Sequence, residues 1–128
     1  MKIELERYPG EYAIVKLDSG VDIKALTEKA TFLSFTKTDQ ELSLVIDMEH
    51  APMGLEQSNN WGLLKIRGPL DFTLVGVLNQ VLEPLSANGI SIFAISTFDT
   101  DYLLIKSDQM DHACQILSAD FTIHERMD

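Results

Sequence analysis

The chain has little with which to hold a metal or a covalent cross-link. One cysteine, Cys114, stands among 128 residues. An intrachain disulfide is therefore excluded, and a thiolate zinc site lacks ligands. The three histidines, His50, His112 and His124, are far apart with no ligand spacing, so neither a metal nor a cofactor is expected. Asp47, Glu49 and His50 do cluster after an apolar run and read as a solvated strand end. No Gly-x-Gly-x-x-Gly or phosphate-loop pattern occurs, which argues against nucleotide chemistry. No serine has a histidine placed beside it by sequence logic, so no nucleophile–base constellation is read and no enzyme is expected.

Positive charge is equally scarce. Lys and Arg number 10 against 20 Asp and Glu, a formal net charge of −10. Such a surface repels a phosphate backbone and an anionic membrane alike, so neither is an expected partner. No apolar run approaches the roughly 20 residues that span a bilayer. The opening Met1-Lys2-Ile3-Glu4-Leu5-Glu6 has no long apolar stretch of the signal-peptide kind. The cytoplasm is the expected location.

What is present is periodic. Gly62-Leu63-Leu64-Lys65-Ile66 reads as a strand that stops at Gly68-Pro69. Leu74, Val77, Leu78, Val81, Leu82 and Leu85 then form one stripe at helical period. Asp71 is placed to cap that helix, Asn88-Gly89 to stop it and Pro84 to kink it near its end. Residues 90–96 and 102–106 read as strands flanking the polar turn Thr97-Phe98-Asp99-Thr100-Asp101. Ser107 is placed to cap a second helix in which Met110, Ala113, Cys114 and Leu117 share a face. Residues 121–126 fit a last strand. The order is β-α-β-β-α-β, the split βαβ of ferredoxin-like folds.

The first half reads as a shorter version. Strands are expected at 12–17, 31–36 and 41–46, with a short helix over 22–29. Neither a second helix nor a fourth strand is visible before Trp61, and 49–60 carries Pro, Gly, Ser and Asn as a linker does. Leu33-Ser34 and Thr38-Asp39 line up with Ile95-Ser96 and Thr100-Asp101 at one constant offset, an internal repeat. The expected fold class is α+β: two ferredoxin-like units packed as one, an abbreviated unit plus linker over 1–60 and a complete one over 61–128.

Gly68-Pro69-Leu70-Asp71-Phe72, Glu83-Pro84-Leu85, Gly89-Ile90-Ser91 and Ser96-Thr97-Phe98-Asp99-Thr100-Asp101-Tyr102 together resemble ACT domains. The resemblance is to those of small stand-alone ACT proteins and of animal cytosolic arginine sensors, which are similar in turn to aspartate kinase regulatory domains. It runs from Trp61 to about Leu117, and in the first half is best over 38–45. It implies a non-catalytic regulatory or sensing module that binds an amino acid, pairs edge to edge as a homodimer, and acts through an unknown protein partner.

The resemblance also implies a site. The matching threonine, phenylalanine and aspartate of the arginine sensors line the ligand pocket, which points to Thr97, Phe98 and Asp101. Asp101 is placed to pair with a ligand cation and Phe98 to cover its apolar part. Residues 71–74, with Asp71 and Leu74, offer free N–H groups at a helix start for an α-carboxylate. The sensors carry glycine where Asp71 stands, so Asp71 alters pocket size and ligand charge. Val77 lies one turn later and also serves the core stripe. On composition alone the same residues form an ordinary polar turn and an ordinary cap. The alternative is therefore a structural or interaction module on this fold without a ligand; a small ferredoxin-like enzyme is the third reading. An RNA-recognition domain shares the element order but needs exposed strand aromatics and positive charge.

Overall fold

The computed structural model describes residues 3–67 and 76–127. The protein is α+β and divides into two compact units. Gly10–Trp61 forms one; Met1–Pro9 together with Gly62–Asp128 forms the other. In sequence, the first is an insertion within the second.

The interrupted unit begins with a strand that the sequence reading did not assign, β1 (Glu4–Arg7). It continues with the later part of β5 (Gln57–Ile66), α2 (Val77–Ala87), β6 (Ile92–Ser96), β7 (Asp101–Lys106), α3 (Ser107–Leu117) and β8 (Thr122–Glu125). β5 onward is the expected β-α-β-β-α-β series. β1 is added between two of its strands, antiparallel to β5 (Leu5 opposite Ile66) and parallel to β8 (Leu5 opposite Ile123). The resulting order is β8-β1-β5-β7-β6. Leu5, Leu64, Ile66, Leu103 and Ile105 of the sheet meet Val81, Leu85, Met110 and Leu117 of the helices in a buried core. Removing this apolar area from solvent is the main stabilising term.

The α2 stripe is as its spacing predicts: Val77, Val81 and Leu85 are buried, with Leu78 and Leu82 partly so. The helix ends as expected at Asn88-Gly89. Gly89 adopts φ 72°, and the N–H groups of Asn88, Gly89 and Ile90 return to the carbonyls of Leu85 and Ser86. Its start differs from the expectation. The N-cap position belongs to Gly76 at φ 84°; Asp71 and Leu74 lie outside the described residues. Ser107 is the first helical residue of α3, behind Lys106 at the cap position. It makes no cap bond, and its buried hydroxyl has no partner among the described residues.

The inserted unit contains β2 (Tyr12–Lys16), α1 (Ile23–Lys29), β3 (Leu33–Lys37), β4 (Leu42–Asp47), a 3-10 turn (Met48–His50) and the first part of β5. Asp22 caps α1 through Ala25 N–H at 3.3 Å. The order β3-β4-β2-β5 is again ferredoxin-like. The segment read as a linker thus contains the strand expected to be missing. Gln57 and Ser58 pair with Val15 and Ile14, and Trp61 with Tyr12. A bulge separates these pairs, and Asn60 there adopts φ 66°, a conformation that asparagine tolerates. The second helix is replaced by the 3-10 turn. A small core of Ala13, Val15, Leu17, Leu44 and Ile46 results.

The two hairpins are equivalent, in a register other than the one the repeat suggested. Thr38 and Glu41 close the β3–β4 turn as Thr97 and Thr100 close the β6–β7 turn: N–H to carbonyl at 2.9 and 2.8 Å, and the returning N–H to the threonine hydroxyl oxygen at 3.0 and 3.3 Å. Leu44 and Ile46 then match Leu103 and Ile105, all core residues. Thr38 therefore corresponds to Thr97, not to Thr100, because the turn bonds and the inward side chains fix the register.

Candidate functional site

The β6–β7 hairpin brings together Thr97, Phe98 and Asp101. Its strands pair from Ile92 opposite Ile105 to Ser96 opposite Asp101. Four-residue closure leaves Phe98 at the tip, 85% exposed. Most of its ring surface is in water, and covering it with a ligand would remove that apolar area from solvent. Thr97 is committed to the turn: its N–H and hydroxyl both donate to the Thr100 carbonyl, at 2.8 and 3.0 Å. Asp101 accepts a hydrogen bond from the Ser96 hydroxyl through Oδ1. Its Oδ2 has no partner among the described residues. One carboxylate oxygen thus orients the side chain while the other can face a cation.

Val77 lies at the start of α2. It is 7% exposed and belongs to the core with Val81 and Leu85. Asp71 and Leu74 lie outside the described residues, so the helix-start half of the expected site has no geometry here. A groove of about 610 Å³ runs between α2 and β6, with Leu82, Ser86, Ala87, Ile92 and Ala94 on its walls. A second, of about 550 Å³, lies between α2 and Phe121. Neither is lined by Thr97, Phe98 or Asp101.

Two residues have roles that sequence reasoning missed. Thr100 is 5% exposed, and its hydroxyl donates to the Ile66 carbonyl at the end of β5. A threonine in a polar turn carries no local sign of such a long-range partner. Asp47 is not a solvated strand end: it is 6% exposed. Its carboxylate accepts from Thr31 N–H at 3.1 Å, the Thr31 hydroxyl at 2.9 Å and Phe32 N–H at 3.1 Å. Burial works against its charge, but the backbone donors of Thr31 and Phe32 outweigh it and hold the carboxyl below its usual range. Glu49 and His50 place their ligand atoms within 4.8 Å of it. Asp47 is nevertheless occupied in clamping the start of β3, and Glu49 and His50 pair with each other at 3.6 Å. Burial pushes the Cys114 thiol up, with Arg7 opposing, so its unreactive protonated form is favoured.

Known proteins of similar sequence and fold bear on this geometry. A protein-family profile described as an ACT domain matches residues 56–119. The human cytosolic arginine sensor for mTORC1 subunit 1 is 32% identical over 95 residues, which is 68% of this chain and 29% of that protein. The chain therefore spans less than a third of such a relative. The crystal structure of a protein from Agobacterium tumefaciens superposes with a TM-score of 0.88 at 33% identity, covering 100% of this chain and 96% of that one. The regulatory subunit of aspartate kinase from Thermus thermophilus superposes with a TM-score of 0.62 at 12% identity, over 94% and 97% of the two chains, a likeness of fold alone.

Proposed function

The chain belongs to the ACT-domain family, and from that premise we propose that it is a non-catalytic regulatory module that binds an amino acid and acts through a partner protein in the cytoplasm. The observation that carries the reading is the β6–β7 hairpin, where Phe98 is presented to solvent beside an Asp101 carboxylate with one oxygen uncommitted among the described residues. The relatives that sense an amino acid give that carboxylate a natural target: the cation of an arginine or a similar zwitterion. Asp71 and Leu74 belong to the proposed site at its carboxylate end. Val77 supports the start of α2 from the core. Acting on nucleic acid is not part of the proposal, since a net charge of −10 repels phosphate.

A thermal-shift screen against the twenty amino acids tests the reading, followed by calorimetry on Asp101→Asn. That substitution keeps the shape and an acceptor for Ser96 while removing the charge. A charge-assisted hydrogen bond is worth roughly 1.5–3 kcal/mol, so the variant is expected to lose about one to two decades of affinity with its unliganded melting temperature unchanged. Equal affinity removes Asp101 from the site. If no amino acid binds, the alternative stands: a structural or interaction module on the same fold. The use of the Thr97 hydroxyl and of Asp101 Oδ1 within the hairpin itself favours that alternative.

The proposed assembly is a homodimer paired through β6. Among edge strands, β3 ends in Lys37 and β8 in Glu125, whereas Ile92-Phe93-Ala94-Ile95-Ser96 carries no charge on a strongly acidic chain. Phe93 is 38% exposed there. Natural edges are normally protected by charge, so an uncharged one invites pairing. Antiparallel pairing about Ala94 sets Phe93 across from Ile95, an aromatic–aliphatic cross-strand pair. Light scattering should show dimer for the wild type, monomer for Ala94→Lys and dimer for Thr36→Lys on β3. A wild type that stays monomeric at high concentration and moderate salt overturns this.

A further inference from the structure

We propose that Thr100 is the positioning residue of the hairpin site: its buried hydroxyl fixes the Thr97–Thr100 turn against β5 and so sets where Phe98 and Asp101 stand. The proposal rests on the reading that this hairpin takes an amino acid. All three polar groups of Thr100 are engaged. Its carbonyl accepts from Thr97 N–H at 2.8 Å and from the Thr97 hydroxyl at 3.0 Å, and its N–H returns to the Thr97 hydroxyl at 3.3 Å. Its own hydroxyl leaves the turn altogether and donates to the carbonyl of Ile66, a residue with no solvent exposure at the end of β5.

The equivalent hairpin of the inserted unit separates the two jobs. There Thr38 and Glu41 make the same backbone closure and the same N–H-to-hydroxyl bond. The position of Thr100 is held by Glu41, which is exposed, and no tie from its side chain to a neighbouring strand exists among the described residues. Turn closure therefore needs no threonine at this position. The hydroxyl of Thr100 is an addition found on the hairpin that carries the candidate site, and it ties the turn to β5, a strand outside the hairpin. A ligand group gripped by Asp101 and covered by Phe98 gains affinity when both are held in place before binding, because less ordering remains to be done.

Thr100→Val keeps the shape and removes the donor; Thr100→Ser keeps the donor and removes a methyl group. Hydrogen exchange on the unliganded full-length protein reads the anchor directly. In Thr100→Val the amides of Thr97 and Thr100, both bonded within the turn, should exchange at least about tenfold faster, while Thr100→Ser stays within about threefold of wild type. With L-arginine as probe, calorimetry should show affinity falling by about tenfold or more in Thr100→Val and retained in Thr100→Ser. Unchanged exchange in Thr100→Val overturns the proposal. So does Thr100→Ser if it loosens the turn, since the methyl group rather than the hydroxyl then holds it; this arm decides even if Thr100→Val does not fold. Should the wild type bind none of the twenty amino acids while Thr100→Val still loosens the turn, the anchor stands and the amino-acid reading falls.

Discussion

A carboxylate below the protein surface keeps its charge only where donors replace the water it has lost. Asp47 has such donors in Thr31 N–H, the Thr31 hydroxyl and Phe32 N–H. Its carboxyl is held below the usual range, whereas in the unfolded chain it titrates near about 3.9. On acidification the unfolded state therefore takes up the proton first. The stabilisation is fully present above the ordinary carboxylate range and is lost as pH falls through the lowered folded value. Asp47→Asn should destabilise the protein at pH 7 by roughly 1–3 kcal/mol, and the gap to wild type should close in melts below about pH 4. A gap constant from neutral pH to pH 3 would show that the charge contributes nothing. Asp47 and Thr100 mark the limit of reading residues from sequence. Both are polar side chains next to turns, a setting that usually means solvent. Their burial is set by partners 16 and 34 positions away. Thr97, Phe98 and Asp101 were legible together because one turn holds all three.

At the scale of elements, what was legible is what has its own apolar period. The α2 and α3 stripes, the short α1 and the β6–β7 hairpin all follow from spacing. The strands that were missed have almost none. β1 reads Glu-Leu-Glu-Arg, and its inward face is Leu5 with Arg7 beside it. The start of β5 reads Gln-Ser-Asn-Asn, composed of turn formers, and is made a strand by hydrogen bonds to β2 rather than by its side chains. Leu5 nevertheless has no solvent exposure. On the other face of β1, Glu4 meets His124 at 2.7 Å and Glu6 meets Arg67 at 3.0 Å, pairs that remain partly in water. Deleting a buried leucine side chain costs about 2–5 kcal/mol, while a solvent-facing ion pair is worth at most about 1 kcal/mol. Leu5→Ala should therefore lower stability several times more than Glu6→Gln in denaturant titrations. Equal effects would mean that β1 lies on the unit without belonging to its core.

The chain as a whole is one ferredoxin-like unit written inside another, and that order has a consequence for what can be cut away. The interrupted unit takes Met1–Pro9 from one side of the insertion and Gly62–Asp128 from the other. A fragment of residues 61–128 contains the β-α-β-β-α-β series, yet it loses β1: β5 keeps only β7 and β8 loses its partner strand. The core loses Leu5 as well, and a domain this small has little stability to spare. The fragment should show no cooperative melt near the temperature of the full chain. Joining residues 1–9 to 62–128 through a short Gly-Ser linker returns β1 without the insertion, and a cooperative transition should reappear. Loop closure through a flexible linker costs little, because the entropic penalty grows only with the logarithm of its length. If residues 61–128 alone melt cooperatively at the full-length temperature, β1 is dispensable and the series closes its sheet unaided. If the joined protein stays unfolded while the full chain folds, the inserted unit itself supplies stability that β1 cannot replace.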